Sequence, residues 1–250
     1  MSDAIIDVKN LTMGYGDNIL LKNASYEVNK GDVFIIMGGS GCGKSSMLRI
    51  LTGLIAPLAG KVYIKDIDIT NASDEEMQKI RENSGILYQS GALFSSMTLA
   101  ENIALPLQQY SNYSSKEIKE LTSFKLALVG LYGFEDYYPS EISGGMKKRA
   151  GLARALALDP EIVYFDEPSA GLDPISSRNL DDLILEINQS LKTTIVVVTH
   201  ELSSIFTIGN NSIFLDAETK SISARGNPHD LLKNPPNENV YKFLTRGGKM

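Results

Sequence analysis

A glycine-rich segment that ends in lysine and serine carries the most recognisable chemistry in the chain. Residues 38–45 read GGSGCGKS, which fits the phosphate-binding pattern G-x-x-x-x-G-K-[ST]. An apolar run at 33–37 precedes it, as expected for a strand buried on both faces, and a helical pattern follows. Backbone N–H groups and a helix N-terminus at such a loop favour phosphate. We therefore expect a nucleoside triphosphate to contact the loop residues Gly38, Gly39, Ser40, Gly41, Cys42, Gly43, Lys44, Ser45 and Ser46.

Three of these loop residues allow a more specific interpretation. Lys44 is predicted to place its charge on the β- and γ-phosphates, and the Ser45 hydroxyl is a candidate ligand of Mg²⁺. Cys42 has two interpretations. A thiol at a helix N-terminus beside a lysine can have a lowered pKa, or a small side chain can simply fit the loop.

Two acidic residues follow a second apolar run, IVYF at 162–165. In open α/β sheets, ligands bind at the carboxyl ends of the strands, which is where Asp166 and Glu167 are expected to lie. Asp166 is a candidate Mg²⁺ ligand, and Glu167 is a candidate general base for an attacking water molecule. The alternative is an acidic strand end that simply faces solvent.

Polar residues follow two further apolar runs, so that four strands are expected to deliver functional groups to one edge of the sheet. Gln89 follows residues 86–88 and can reach Mg²⁺ or the attacking water, and His200 follows residues 196–199 and can contact the γ-phosphate. An isolated histidine after a strand is more often a capping or surface residue. The convergence of four strand ends favours the catalytic interpretation.

A second anion site is predicted where Ser143, Gly144 and Gly145 open a basic helix. A single nucleotide does not need both this site and the glycine-rich loop. A dimer in which each copy's Ser-Gly-Gly closes on the other copy's nucleotide accounts for both. A helix N-cap followed by flexible glycines is the alternative interpretation.

The elements that must position these residues indicate an α/β fold with a parallel sheet. Strands are expected at 5–8, 19–21, 25–28, 33–37, 85–88, 162–165 and 194–199. No strand pattern interrupts residues 98–158, which indicates an inserted helical lobe. Within it, Ser114 and Glu117 form a predicted capping box, followed by an apolar face of Ile118, Leu121, Phe124, Leu128 and Leu131. A short helix is expected at 228–233, with Asn227 as its cap, and then a tail.

Composition excludes several classes of protein. The 250 residues carry 24 Lys and Arg against 30 Asp and Glu, a net charge of −6, which argues against a nucleic-acid partner. One cysteine and two histidines argue against a structural zinc site. The sequence shows no signal-peptide pattern and no apolar run long enough to cross a bilayer. These features predict a soluble, cytoplasmic protein.

Together, the motifs resemble those of the ATP-binding subunits of ABC transporters over residues 5–230. The resemblance implies a P-loop NTPase fold: a RecA-like parallel sheet core with a small antiparallel β-subdomain and an inserted α-helical subdomain. It implies an ATPase domain at 1–233, with the helical subdomain at about 95–158 and a tail at 234–250. The tail has two interpretations, a frayed terminus or an extension that docks on a second copy. The resemblance also implies that Tyr15 stacks on adenine, that Asp173 lies in a loop facing the dimer partner, and that ATP and Mg²⁺ are the cofactors.

One departure from the family pattern indicates which branch of the family the chain resembles. The family signature usually reads Leu-Ser-Gly-Gly-Gln, whereas this chain has Ile142 and Met146 at the first and last positions. This version resembles the Mla-type branch, the ATPases of MCE-linked phospholipid transport. That branch implies a homodimer on the cytoplasmic face of the bacterial inner membrane, with a permease, an MCE lipid-binding protein and a small STAS-like subunit. Apolar residues after Gln89 can form a groove for the permease or pack in the core: Phe94, Met97, Leu99, Ile103 and Leu105.

Three other functions remain as alternatives. The first is the ATPase of an amino-acid or other small-solute importer, which shares every ATPase motif. The second is a soluble ABC-type ATPase that acts on DNA or ribosomes, although the chain lacks the coiled-coil insertions or zinc modules typical of that class. The third is a nucleotide-binding scaffold without hydrolysis, which the presence of both Glu167 and His200 disfavours.

Overall fold

The computed structural model describes residues 3–248, so the outermost residues of the predicted ranges 1–233 and 234–250 lie outside the described part. The strands are β1 Ala4–Tyr15, β2 Asn18–Asn29, β3 Val33–Gly38, β4 Ala59–Ile64, β5 Ile67–Asp68, β6 Ser84–Leu87, β7 Ile162–Asp166, β8 Thr194–Val198, β9 Asn211–Asp216 and β10 Ser221–Arg225. The helices are α1 Lys44–Leu51, α2 Asp74–Glu82, α3 Leu99–Tyr110, α4 Ser115–Leu128, α5 Gly144–Ala155, α6 Pro174–Leu191, α7 Leu202–Ile208, α8 Pro228–Lys233 and α9 Glu238–Leu244. A short 3₁₀ helix spans Pro139–Glu141.

A six-stranded sheet forms the centre of the molecule, in the order β10-β9-β3-β8-β7-β6. The five strands from β9 to β6 run parallel, and only β10 is antiparallel to its neighbour. All residues of β3 and β8 are buried, which explains their continuous apolar sequence. The predicted α/β fold with a parallel core is confirmed, and β3, β6, β7 and β8 end at the same edge of the sheet.

A second, four-stranded antiparallel sheet has the order β2-β1-β4-β5. The prediction of separate strands at 19–21 and 25–28 was wrong, since β2 is continuous and pairs with β1 along its whole length. Asn10 and Asn23 take the left-handed conformation, with φ near 49° and 48°, where the register of the pair shifts. Such irregularities break the apolar alternation without ending the strand.

Residues 98–158 contain α3, α4, the 3₁₀ helix and α5, and no strand. The predicted capping box of α4 is present, because the Glu117 backbone N–H donates to the Ser114 hydroxyl and the Glu117 carboxylate accepts from Ser114. The apolar face predicted for this helix is only partly correct. Phe124 and Leu128 are exposed, and the residues that α4 buries are Ile118, Thr122, Lys125 and Leu126. Lys125 turns inward because it pairs with Asp159, which rotates the buried stripe away from Phe124.

The carboxyl-terminal segment is more ordered than the sequence pattern indicates. Helix α8 has the predicted bounds and its predicted cap, Asn227. The residues beyond it form a further helix, α9, which buries Val240 and Leu244 and places Phe243 edge-on against Phe214 in β9. The predicted tail at 234–250 therefore contains a helix, and its docking on a second copy stays a prediction. Within residues 3–248, no helix combines the length and apolar character needed to span a bilayer.

One buried carboxylate weakens the fold at neutral pH. Asp181 in α6 is 2% exposed; Ser204 donates to its Oδ2 at 2.9 Å, while its Oδ1 has no hydrogen-bond partner in the described chain. Burial raises the pKa of Asp181 to about 6. The folded state therefore keeps a proton that the unfolded chain releases, so the free energy of unfolding falls as pH rises from about 4 to about 6.

We expect Asp181→Asn to raise the free energy of unfolding by about 1–3 kcal/mol at pH 7.5 and by about half as much at pH 5, because the amide is never charged. Urea unfolding at the two pH values measures this difference. Asp182→Asn is the matched control, since that neighbouring carboxylate is exposed and pairs with Arg178. An equal gain at both pH values would contradict the assignment of the effect to ionisation of Asp181.

Candidate functional site

A large cavity lies at the carboxyl edge of the parallel sheet. Its volume is about 1040 Å³. The predicted site residues that line it are Gly38, Gly39, Ser40, Gly41, Gly43, Lys44, Ser45, Ser46, Gln89, Glu167 and His200. Residues from the ends of β3, β6, β7 and β8 thus meet in one cavity, as the order of the strands requires.

The backbone of the glycine-rich loop takes conformations that larger residues rarely adopt. Gly43, which caps α1, has φ of 96°, in the left-handed region. At Gly38 the chain passes so close to β9 that a Cβ atom would lie 2.4 Å from the Leu215 carbonyl oxygen. Lys44 Nζ donates to the carbonyl oxygens of Gly38 and Gly39, each at 3.0 Å, so the ammonium group lies at the rim of the loop where phosphates would enter.

A hydroxyl and a carboxylate lie side by side behind the loop. The Ser45 hydroxyl donates to Asp166 Oδ1 at 3.1 Å, and Gln89 lines the same cavity. Burial raises the pKa of Asp166, the negative charge of Glu167 adds to this, and the hydrogen bond from Ser45 opposes it. The oxygen atoms of the Ser45 hydroxyl, the Asp166 carboxylate and the Gln89 amide suit Mg²⁺, because this ion binds hard oxygen ligands and retains several waters. The donor set therefore fits the predicted metal.

Glu167 is held firmly by the end of β8. Its carboxylate Oε1 lies 2.7 Å from His200 Nδ1, and its Oε2 accepts from the Thr199 hydroxyl at 3.1 Å and from the His200 backbone N–H at 3.4 Å. The side chain of Glu167 is 12% exposed, whereas that of His200 is 55% exposed. Glu167 itself has φ of 49°, a strained conformation for a residue with a side chain. These contacts aim one carboxylate into the cavity in a defined orientation.

Four of the predicted ATP-binding residues lie outside this cavity. Ser143 caps α5 by accepting from the Met146 backbone N–H, and Asp173 caps α6 by accepting from Ile175 and Ser176. Hydrogen bonds from Ser176 lower the pKa of Asp173. Gly144 and Gly145 begin α5, and Gly145 lies against Ser176, so the two caps are close to each other. Within one copy, these residues form a separate exposed surface.

Two other predicted residues lie at the border of the glycine-rich loop. Tyr15 is exposed at the end of β1, and its hydroxyl is 3.0 Å from the Ser46 hydroxyl. Cys42 has its side chain buried beneath the loop, and burial raises the pKa of its thiol. Of the two interpretations of Cys42, the structure therefore favours a small side chain that fits the loop over a reactive thiolate.

Several residues near the cavity were not predicted from the sequence. Thr199 holds Glu167 from β8, and Lys148 in α5 donates to the Glu167 carbonyl oxygen at 3.4 Å. Lys148 shares a buried helix face with Gly151 and Leu152, three and four residues later, and that spacing is a usable sequence signal. The cavity is also lined from the carboxyl-terminal segment by Lys242, Phe243 and Arg246, for which no sequence signal exists.

The apolar residues that follow Gln89 divide between core and surface. Leu99 and Ile103 are fully buried and belong to the core. Phe94 is half-exposed and lines a groove of about 380 Å³ together with Leu105 and Arg154. The groove lies next to the loop that carries Gln89, so a partner bound there would touch an element that lines the nucleotide cavity.

The packing of α9 makes the role of the carboxyl-terminal segment testable. Removing residues 237–250 would uncover Phe214 and remove the buried side chains of Val240 and Leu244, so we expect the free energy of unfolding to fall by about 2–5 kcal/mol. We also expect weaker nucleotide-dependent dimerisation, measured by sedimentation with MgATP. A control chain that lacks only residues 249–250 should behave like the full chain. If the shorter chain dimerises and hydrolyses ATP unchanged, the predicted docking on a second copy is wrong.

Comparisons with known proteins agree with these features. A family model described as ABC transporter matches residues 21–170. The probable ribonucleotide transport ATP-binding protein mkl of Mycobacterium leprae is 44% identical over 206 residues, 82% of this chain and 59% of that protein. The intermembrane phospholipid transport system ATP-binding protein MlaF of Haemophilus influenzae is 38% identical over 244 residues, 98% of this chain and 91% of that protein. The glycine betaine transport ATP-binding protein OpuAA of Bacillus subtilis is 38% identical over 238 residues, 94% of this chain and 56% of that protein.

The chain thus spans less than two thirds of the length of mkl and OpuAA, and most of the length of MlaF. Among solved structures, the dimeric post-hydrolysis state of the ATP-binding cassette MJ0796 bound to ADP and Pi superimposes with a TM-score of 0.80 at 32% sequence identity. That match covers 89% of this chain and 98% of the other.

Proposed function

Because the chain belongs to the ABC transporter family, we propose that it is the ATP-hydrolysing subunit of a membrane transporter. One observation carries the proposal. Lys44, Ser45, Gln89, Glu167 and His200 come from four different strand ends and line a single cavity large enough for a nucleotide. A glycine-rich loop without a catalytic role would not require a buried, oriented carboxylate opposite it.

The residues at this cavity have different roles in phosphoryl transfer. The loop amides and Lys44 bind and orient the triphosphate, while Tyr15 lies where it can stack on the base. Ser45, Asp166 and Gln89 would hold Mg²⁺, which when bound neutralises developing charge on the β- and γ-phosphate oxygens. Glu167 accepts a proton from the attacking water, and His200 and Thr199 keep its carboxylate in place.

The exposed surface formed by Ser143, Gly144, Gly145 and Asp173 is proposed to complete the site in a second copy of the chain. Backbone N–H groups at the start of α5 and the Ser143 hydroxyl are suited to bind phosphate oxygens. They cannot do so in their own chain because they lie outside its cavity. Two copies arranged head to tail would enclose two MgATP molecules, close on binding and reopen after hydrolysis. The dimeric relative bound to ADP and Pi supports this arrangement.

The partner in the membrane is proposed to be a permease that docks in the groove beside Phe94. The chain is accordingly proposed to act on the cytoplasmic face of the bacterial inner membrane. A helix inserted there would contact the loop of Gln89 and so sense the state of the nucleotide site. We propose phospholipid as the transported substrate. The match to MlaF extends over 98% of this chain and 91% of that protein, and the Met146 form of the signature agrees with it. An MCE lipid-binding protein and a STAS-like subunit are proposed as further partners.

A small-solute importer is the second candidate, since OpuAA is as similar to this chain in sequence as MlaF. The two candidates differ in what the whole transporter binds. The test is purification of the membrane complex from its native host, with mass spectrometry of bound lipid and solute and with ATPase assays in liposomes. Phospholipid retained in stoichiometric amount, and hydrolysis unaffected by glycine betaine or amino acids, would support lipid transport. Stimulation by a small solute would overturn it.

A further inference from the structure

Lys148 is a buried cation that the proposed reaction does not use. Its side chain extends from α5 toward the base of the catalytic cavity and is 6% exposed. No acidic residue of the described chain forms an ion pair with it, and its Nζ donates to the Glu167 carbonyl oxygen at 3.4 Å. Burial lowers the pKa of Lys148, and the charges of Glu167 and Asp166 oppose that shift. An unpaired buried ammonium is unfavourable, so its position calls for a specific role.

The group that Lys148 contacts is a strained piece of backbone. Glu167 has a left-handed φ of 49°, and its backbone N–H donates to the Val198 carbonyl oxygen at 2.8 Å. Its carbonyl oxygen accepts from the Ala170 backbone N–H and from Lys148. The backbone on the two sides of the Glu167 Cα is therefore held by β8 and by α5. Because the Glu167 side chain starts from this Cα, a shift of the backbone moves the carboxylate.

Helix α5 connects this contact to the exposed surface that contains Ser143, Gly144 and Gly145. It begins at Gly144, directly after Ser143, and Lys148 lies about one turn further along. Close packing holds the helix against the sheet: a Cβ atom at Gly85 would lie 2.1 Å from the Ala155 carbonyl oxygen, and one at Gly151 would lie 2.9 Å from the Gly91 carbonyl oxygen. The start of α5 and the Glu167 backbone are thus joined through a single helix with little freedom to bend.

We propose that Lys148 is a positioning residue. It makes the orientation of the Glu167 carboxylate depend on whether Ser143–Gly145 of the same copy contact the nucleotide of the second copy. The inference rests on the proposed function. When the start of α5 engages phosphate, the helix moves as a unit and carries the Lys148 ammonium with it. The hydrogen bond to the Glu167 carbonyl oxygen then orients the Glu167 carboxylate so that it can accept a proton from the attacking water. A dimer with only one bound nucleotide would hydrolyse slowly, so hydrolysis depends cooperatively on ATP.

The test uses the full chain with Lys148→Met, Lys148→Arg and the control Lys79→Met, an exposed lysine of α2. We expect Lys148→Met to lower kcat by about 10- to 100-fold, to leave the affinity for ATP within about threefold, and to bring the Hill coefficient for ATP close to 1. Lys148→Arg should restore much of kcat and the cooperativity, because it restores a buried donor. Lys79→Met should match the unmodified chain.

The outcomes separate this inference from the proposed function. If the unmodified chain does not hydrolyse ATP, the proposed function fails. If it hydrolyses ATP cooperatively and Lys148→Met does the same with unchanged kcat, only the role of Lys148 is overturned. Loss of both kcat and ATP binding would indicate a purely structural role for Lys148 and would also overturn the inference. Should Lys148→Met fold poorly, Lys148→Gln in the otherwise unmodified chain replaces it, with kcat and the Hill coefficient measured in the same way and with the same outcomes for and against the inference.

Discussion

Glu167→Gln should lower steady-state ATP hydrolysis by about 10²- to 10³-fold while ATP still binds and holds two copies together. Glutamine has nearly the same shape as glutamate, so it can keep a hydrogen bond to the Thr199 hydroxyl and leaves the cavity intact. Its amide cannot accept a proton from water. If Glu167 is the base, the nucleotide is therefore trapped at the step before bond cleavage.

Two measurements on the same preparations test this expectation. Phosphate release gives the hydrolysis rate, and light scattering with and without MgATP gives the mass of the particle, expected to double only with nucleotide. Glu186→Gln is the control, because that carboxylate is exposed on α6 and does not line the cavity. Turnover of Glu167→Gln at the rate of the unmodified chain would show that another group accepts the proton.

The centre of the site could be predicted because its sequence signals are local. A buried parallel strand is read as a continuous apolar run, and the residue after it must emerge at the ligand-binding edge of the sheet. Lys44, Gln89, Glu167 and His200 were placed together on that argument alone, and the cavity contains all four. The caps Ser114 and Asn227 were likewise predictable, since a helix end needs a side-chain acceptor within a few residues.

Features that depend on contacts distant in sequence could not be predicted in this way. The buried face of α4 is set by the pairing of Lys125 with Asp159, which lies 34 residues away. Helix α9 forms because Phe243 and Leu244 find an apolar surface that includes Phe214. In the sequence alone, the same residues follow a Pro- and Asn-rich break and have no visible partner. Tertiary packing, rather than helix propensity, decides both cases.

The contact of Lys148 with Glu167 also depends on residues that are distant in sequence. A lysine on a basic helix is normally solvated, and its spacing with Gly151 and Leu152 indicates only that it shares their helix face. Its orientation follows from the close packing of α5 at Gly85 and Gly151, which leaves Lys148 facing the end of β7. Of the residues that contact Glu167, His200 is therefore visible in the sequence, whereas the contact with Lys148 requires the folded chain.

His200→Ala is the second change with a large expected effect, and it separates orientation of Glu167 from nucleotide binding. The substitution removes the 2.7 Å contact between Nδ1 and Glu167 Oε1, while the bond from Thr199 to Oε2 remains. The two remaining contacts, from the Thr199 hydroxyl and the backbone N–H of residue 200, both go to Oε2, so Oε1 loses its partner and kcat should fall by about 10- to 100-fold. The affinity for ATP, measured by calorimetry in the Glu167→Gln background, should change by less than about threefold, since Lys44 and the loop amides are untouched.

His229 provides the matched control for this experiment. It is the other histidine of the chain, and its Nε2 lies 2.9 Å from the Phe206 carbonyl oxygen, outside the cavity lining. His229→Ala should leave kcat unchanged. Because His200 is expected to act through Glu167, adding His200→Ala to Glu167→Gln should reduce hydrolysis far less than it does alone. Full additivity of the two changes would mean that His200 contributes independently of Glu167, for instance by contacting the γ-phosphate itself.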